Sequence, residues 1–297
     1  MHWHTTRFQI DLAQPKIMGI VNVTPDSFSD GGQHASTSQA AAHCEQLVSD
    51  GAHMLDIGGE SSRPGAQPLP LQEELRRVLP VLQAAVTLGV PVSVDTYKPQ
   101  VMEAALDAGA DIINDIWALR QPGAHAVIAR YPQCGLVLMH MHRSPQTMQT
   151  EPMVCADVVD TVKTDLLSFY ELLVQHFLGS EGFNAGKSPF KNRIMLDPGI
   201  GFGKTVAQNF CLLARQDELL SLGYPLLAGW SRKSSLGAVT GLDAADRMLP
   251  SVVAALLAVQ RGASVLRVHD VRETAQALAV WRAVNQVATQ ATPPAVS

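Results

Sequence analysis

The chain has 297 residues, 46% hydrophobic and 16% charged, with 22 Lys+Arg against 27 Asp+Glu and a formal net charge of -5. That length and apolar content support a large core, while the net acidity excludes nonspecific binding to nucleic acid, which needs clustered basic surface. No apolar run approaches the ~20 residues of a bilayer span.

The strongest such run, Val252–Val259, stops at Gln260-Arg261. The first residues, Met1-His2-Trp3-His4-Thr5, lack the basic and apolar regions of a secretory leader. Cys44, Cys134, Cys155 and Cys211 stand far apart with no C-x-x-C pair, so a cytoplasmic protein with reduced thiols is expected.

Short apolar runs alternate with stretches of helical period along the chain. Residues 1–14 read as an N-terminal extension, and the first strand is expected at Ile17–Val23. Ala41, Cys44, Leu47 and Val48 then share a helical face that ends at Gly51-Ala52, before a strand at Met54–Ile57. Leu71, Leu75, Val78, Leu79 and Leu82 form the next face, and Pro80 is expected to kink or split that helix. Strands at Val90–Val94 and Ile112–Ile116 flank a helix stopped at Gly109-Ala110, and Leu136–Met139 follows. The long interval to Ile194–Leu196 holds a helix near Asp157–Leu178 and a Gly/Lys/Pro loop over 182–191, to which no function is assigned. Leu226–Ala228 comes next, then Ser264–Val268 after the stop at Gly262-Ala263, and a last helix from Val271. Glycine at these stops tolerates the left-handed conformation in which helices end. Eight strands recurring about every 35 residues match the size of a strand–helix unit. They predict a single (β/α)8 barrel over 15–290, with the doubly wound open sheet as the alternative and 291–297 as a disordered tail.

Nearly every predicted strand ends in a polar residue: Asn22, Asp56, Asp95, Asn114-Asp115, His140, Asp197, Ser231 to Lys233, and Arg267 with His269. One such residue caps a helix or starts a turn. A whole series in a parallel barrel converges on one rim, where such barrels carry their sites. Asp95, Asn114 and Asp197 suit an N–H-rich edge such as a guanidine-like heterocycle, and Arg63, Lys233, Arg267 and His269 suit phosphate oxygens. Asn22 and Asp30 offer hard oxygens for Mg²⁺ carried on a diphosphate. The implied substrate is a nitrogen heterocycle with a phosphorylated arm.

Three motif-like stretches are set aside. Gly199-Ile-Gly201-Phe-Gly203-Lys204-Thr205 nearly spells a P-loop, but Pro198 stands at the first glycine and has no N–H for phosphate. Gly229-Trp-Ser231-Arg-Lys233 lacks the last glycine of a nucleophile elbow. His140-Met-His142 could offer two imidazoles to a metal, but without a third ligand packing and turn roles are expected.

Taken together, the motifs resemble those of dihydropteroate synthases, the folate-pathway enzymes blocked by sulfonamides. Gly19-Ile-Val-Asn22-Val-Thr-Pro-Asp26-Ser-Phe28-Ser-Asp30-Gly-Gly resembles the first signature, and Asp56-Ile-Gly-Gly-Glu60-Ser-Ser62-Arg63-Pro64-Gly the second. Ser93-Val-Asp95-Thr, Ile113-Asn114-Asp115, Leu138-Met139-His140-Met and Asp197-Pro-Gly-Ile-Gly-Phe202-Gly-Lys follow in order. Ser231-Arg-Lys233-Ser234 and Arg267-Val-His269-Asp270 complete the match, which runs from about Pro15 to Thr289.

The resemblance implies a (β/α)8 barrel that joins 6-hydroxymethyl-7,8-dihydropterin diphosphate to 4-aminobenzoate with Mg²⁺, giving 7,8-dihydropteroate and diphosphate. It implies that Asp95, Asn114, Asp197 and Lys233 hold the pterin, with Met139 and Phe202 packing nearby. Asn22, Ser62, Arg63, Arg267 and His269 would form the diphosphate pocket, with Asn22 and Asp30 on Mg²⁺. Phe28, Pro64, Phe202, Lys233 and Ser234 would enclose the aminobenzoate. Asp95, Lys233, Arg63, Arg267 and His269 carry the expected catalytic charges, and Asp56 and Glu60 are expected to support the second loop. The resemblance also implies sulfonamide inhibitors and a homodimer through barrel-flanking helices, for which the Ala-rich stretch Val252–Val259 is the candidate. Ser62 stands where such enzymes carry Thr, and Trp230 where a smaller residue is common; Trp230 is expected to reshape the entrance beside Lys233. A methyltetrahydrofolate–corrinoid methyltransferase shares the pterin-holding acids but needs neither the Phe28/Asp30 loop nor the Ser231–Ser234 turn. A catalytically dead binding protein should have lost the charges of the anion site.

Overall fold

Eight short strands, buried along almost their whole length, carry the architecture. They are β3 (Lys16–Asn22), β4 (Met54–Gly58), β5 (Val92–Asp95), β6 (Ile112–Asp115), β7 (Gly135–Met139), β8 (Ile194–Asp197), β9 (Leu226–Ala228) and β10 (Ala263–Val268). Each pairs in parallel with its neighbours, and β10 closes on β3, giving a closed barrel in the order β10-β3-β4-β5-β6-β7-β8-β9. This computed structural model describes residues 1–23, 32–61, 65–144, 147–148, 150–178 and 190–291, and only the backbone of 32–36 and 288–291. The (β/α)8 barrel expected from the strand spacing is the fold, and the open sheet is excluded by closure.

Helices α1 (Gly32–Ser49), α2 (Leu71–Ala85), α3 (Pro99–Asp107), α4 (Ala124–Arg130), α5 (Val158–Leu178) and α6 (Val206–Ala214) follow the first six barrel strands. Both α7 (Ser234–Thr240) and α8 (Met248–Gln260) lie between β9 and β10, and α9 (Val271–Ala291) ends the described chain. Local chemistry sets their starts. Pro99 occupies the first turn of α3, where its missing N–H costs nothing. Thr205 and Gln208 form a reciprocal capping box at α6. Pro80 does not split α2, which runs unbroken over its fifteen residues. Among the described residues no helix is long and apolar enough to cross a membrane.

Residues 1–14 hold an element that the sequence pattern did not announce. Strands β1 (His2–His4) and β2 (Gln9–Asp11) form an antiparallel hairpin. Its Trp3, with no exposed surface, and Ile10 pack on Met18, Met54, Ile112, Val137, Met195, Leu227 and Val265. Those seven come from seven different barrel strands, so the hairpin plugs the barrel interior at the strands' N-terminal end. Trp3 Nε1 donates to Arg193 O at 2.8 Å, and Arg7 clamps fully buried Asp111 through Nε at 2.9 Å and Nη2 at 2.6 Å.

Candidate active site

Strand periodicity leads from this apolar plug to a polar layer, because residues two apart face the same side. Two positions beyond Met54, Ile112, Met195 and Val265 stand Asp56, Asn114, Asp197 and Arg267. Arg267 donates from Nε to Asp56 Oδ2 at 2.6 Å and from Nη2 to Asp95 Oδ2 at 2.8 Å. Asn114 gives its Nδ2 to the same Asp56 oxygen at 3.1 Å. None of these pairs joins adjacent strands, so the bonds cross the barrel interior. Asp56 is fully buried. Its Oδ1 and the Oγ of register-paired Ser93 have no hydrogen-bond partner among the described residues, which leaves unspent polar capacity in this layer.

The charges shift one another. Burial pushes the Asp95 carboxyl up to about 7 against the pull of Arg267, and Asp56, Glu74 and Asp115 add to the rise. Burial opposes the charge on Arg267, but Asp56 and Asp95 more than offset it and the guanidinium is raised. Asp197 is raised by burial, while Gly199 N, donating to its Oδ1 at 2.7 Å, and Lys233 draw it down. Burial lowers Lys233 to about 8, with Asp197 supporting its charge.

An apolar wall stands beside this layer. Ile116, Met139, Met141, Met148 and Phe202 cluster, with Tyr97 and Trp117 packed against them. The Lys233 ammonium lies 4.3 Å from the Phe202 ring centroid, a cation–π distance. The turn after β8 approaches β7 so closely that a Cβ on Gly199, at φ +67°, would lie 1.8 Å from His140 O. Only glycine fits there.

At the other side of the rim, Ser231 Oγ meets His269 Nδ1 at 2.9 Å, and Asn22 Nδ2 meets His269 Nε2 at 3.4 Å. Arg232, at φ +57°, pairs with Asp270 at 2.6 Å and holds the Ser231–Lys233 turn to the β10–α9 connection. Exposed Ser234 opens α7 next to Lys233. The chain therefore brings Asp95, Asn114, Asp197, Lys233, Met139 and Phe202 to one end of the barrel, with Asn22, Arg267 and His269 alongside. Phe28, Asp30, Ser62, Arg63 and Pro64 lie outside the described residues, as do 182–189 and 292–297.

The sequence matches the family model of pterin binding enzymes over residues 18–269. It is 49% identical over 287 residues to a dihydropteroate synthase of Neisseria meningitidis serogroup C, covering 95% of this chain and 97% of that protein. Among solved structures, the Xanthomonas albilineans dihydropteroate synthase with 4-aminobenzoic acid matches at TM-score 0.83 and 47% identity, over 96% of each chain. The Burkholderia cenocepacia dihydropteroate synthase complexed with 7,8-dihydropteroate matches at 0.85 and 45%, over 97% of this chain and 98% of that one. The chain belongs to the dihydropteroate synthase family.

In this dihydropteroate synthase-family enzyme some sequence expectations hold and others do not. Glu60 does secure the neck of the second loop: it accepts from Leu69 N at 2.9 Å and Tyr97 OH at 2.8 Å, and pairs with Lys98 at 2.5 Å. Asp56 instead serves the interior ion cluster. Trp230 does not line an entrance. It is buried, with its ring 5.4 Å from Phe210 of α6, because the strand alternation that turns Leu227 inward turns residue 230 outward. His140 bonds Asp165 and Lys204. Among the described residues no group of three His, Cys, Asp or Glu gathers to hold a metal. Lys204, set aside with the P-loop-like stretch, is buried in the turn after β8. A lone lysine in a glycine run directly after a strand-end acid was the available signal.

Proposed function

We propose that the chain condenses 6-hydroxymethyl-7,8-dihydropterin diphosphate with 4-aminobenzoate in the cytoplasm, giving 7,8-dihydropteroate and diphosphate in folate biosynthesis. The observation that carries the reading is the interior layer in which Asp56, Asp95, Asn114, Asp197, Arg267 and Lys233 adjoin the Met139–Phe202 wall. Carboxylates and an amide suit the aminopyrimidinone edge of a pterin, and the thioether and phenyl groups suit its flat faces. Asn22, Ser62, Arg63, Arg267 and His269 take the diphosphate. Phe28, Pro64, Phe202, Lys233 and Ser234 enclose the aminobenzoate, so sulfonamides compete there.

The reaction follows from the charges. The methylene–oxygen bond breaks with its electron pair on the departing diphosphate, whose growing charge meets Arg63, Arg267 and His269. The methylene cation left behind is conjugated with the ring and stabilised by Asp95. The arylamine lone pair then forms the C–N bond, and the nitrogen's proton leaves on diphosphate. No covalent enzyme intermediate is needed, and the substitution is SN1-like. Asn22 and Asp30 would hold Mg²⁺. Asn22, with its amide nitrogen on His269, keeps a carbonyl oxygen of the hard type such an ion takes. Bound there, the ion would neutralise leaving-group charge.

A homodimer fits the exposed apolar surface. Within the Val252–Val259 stretch, Val252, Ala254, Ala255, Ala258 and Val259 are buried. Leu249, Val253 and Leu257 are exposed in a stripe along α8, and Val280, Val284 and Val287 along α9, which packs on it. Such a face on one subunit suits its copy.

The test supplies both substrates and measures products. Equal amounts of diphosphate and 7,8-dihydropteroate, formed only when both are present, support the reading. Pterin binding with no diphosphate release would make the chain a binding protein.

A further inference from the structure

Lys204 belongs to none of the binding sets above, yet it is only 3% exposed. Its Nζ lies 2.9 Å from His140 Nδ1, 2.8 Å from Gly199 O, 3.3 Å from Phe202 O and 3.4 Å from His140 O. An ammonium has three hydrogens, so these four acceptors consume it entirely and none remains for phosphate or pterin. Burying such a charge is costly, and a turn that needed only filling would take a methionine at lower cost.

The four acceptors belong to the turn after β8 and to the end of β7. Gly199, whose carbonyl takes Lys204, gives its own N–H to Asp197 Oδ1 at 2.7 Å. Phe202, whose carbonyl also takes Lys204, sets its ring 4.3 Å from the Lys233 ammonium. On the far side His140 Nε2 meets Asp165 Oδ2 at 3.0 Å, and Asp165, on α5, is 45% exposed at its side chain. A continuous line thus runs from an outer helix, through His140 and Lys204, to the two points of the turn that orient an acid and an aromatic ring of the pterin layer.

We propose that Lys204 is a positioning residue for pterin recognition, locking the turn between β8 and α6 so that Asp197 and the Phe202–Lys233 pair are preset for the heterocycle, with Asp165 anchoring the lock through His140. The inference rests on the pterin-binding reading above. A merely structural lysine would affect melting temperature and active fraction but leave the KM of folded enzyme unchanged.

The experiment compares the parent with Lys204→Met and Asp165→Asn in steady-state kinetics, varying pterin diphosphate and 4-aminobenzoate separately at a temperature where circular dichroism shows the proteins folded. Lys204→Met is expected to raise KM for pterin diphosphate about tenfold or more, since small misplacements of a binding group cost that much. The rise for 4-aminobenzoate should be smaller. Asp165→Asn, a surface change, should raise the pterin KM by about threefold while keeping the melting temperature. The role is overturned if a folded Lys204→Met keeps its pterin KM within about twofold of the parent, or, where that variant does not fold, if Asp165→Asn does. A parent that binds pterin diphosphate without turnover removes the proposed reaction, and calorimetric pterin affinities of the same proteins then decide the positioning role separately.

Discussion

The guanidinium of Arg267 meets the carboxylate of Asp95 at 2.8 Å across the barrel interior, although β10 and β5 are not neighbours in the ring. The same guanidinium reaches Asp56 through Nε, so one planar fork joins two acids on adjacent strands. Lysine carries the same charge on a single point and cannot reproduce that geometry. Arg267→Lys should therefore lower kcat/KM about 100-fold and reduce Tm. Arg267→Ala should cost more, about 3–5 kcal/mol, because it strands buried Asp56 without a counter-charge. Thermal unfolding and kinetics of both variants check the order.

The pH dependence follows from two groups. Asp95, raised to about 7 by burial against the pull of Arg267 and further by Asp56, Glu74 and Asp115, gains a proton as pH falls and loses the charge proposed to stabilise the methylene cation. Lys233, lowered to about 8 by burial and by Arg267 against the support of Asp197 and Asp95, loses its proton as pH rises and with it a cation of the polar layer. A plot of kcat/KM should be bell-shaped, rising through about 7 and falling above about 8. Activity that stays flat from pH 6 to 10, a span of about four units around both groups, would contradict these assignments.

Gly199→Ala should be severe. The new Cβ would lie 1.8 Å from His140 O at a left-handed φ of +67°. Backbone must shift where the turn meets β7, at a cost of more than about 1 kcal/mol and with loss of pterin affinity. Gly229→Ala, whose Cβ would meet nothing within 4 Å, should keep Tm.

Trp3→Ala tests the plug. Deleting a buried indole costs about 3–5 kcal/mol and should lower Tm by about 5–10 °C. The polar layer lies at the opposite end of the strands, so KM for both substrates should be unchanged in the folded variant. A shifted pterin KM would show that the two ends of the barrel are coupled.

The barrel was legible because its strands carry a period of two and end in chemistry. Met54 then Asp56, and Val265 then Arg267, already place an apolar floor beneath a polar rim. Which acid pairs with which cation was not legible, since ring closure decides it: Asp56 reads as a loop support until β10 is seen to cross to β4. The N-terminal hairpin was hidden because strands of three residues leave Trp3 and Ile10 as isolated apolar positions. Lys204 was hidden because backbone carbonyls, which have no residue identity, hold it. Trp230 was misread for want of knowing which way the residues beyond β9 alternate.

In the proposed reaction, Asp95 stabilises the cation formed as diphosphate leaves. Rapid-quench measurement of 7,8-dihydropteroate and diphosphate with saturating substrates, in the parent and in Asp95→Asn, tests it most directly. Asp95→Asn is expected to keep pterin diphosphate affinity within about tenfold while the chemical step slows about 100-fold. Full turnover by Asp95→Asn with normal substrate binding would contradict it.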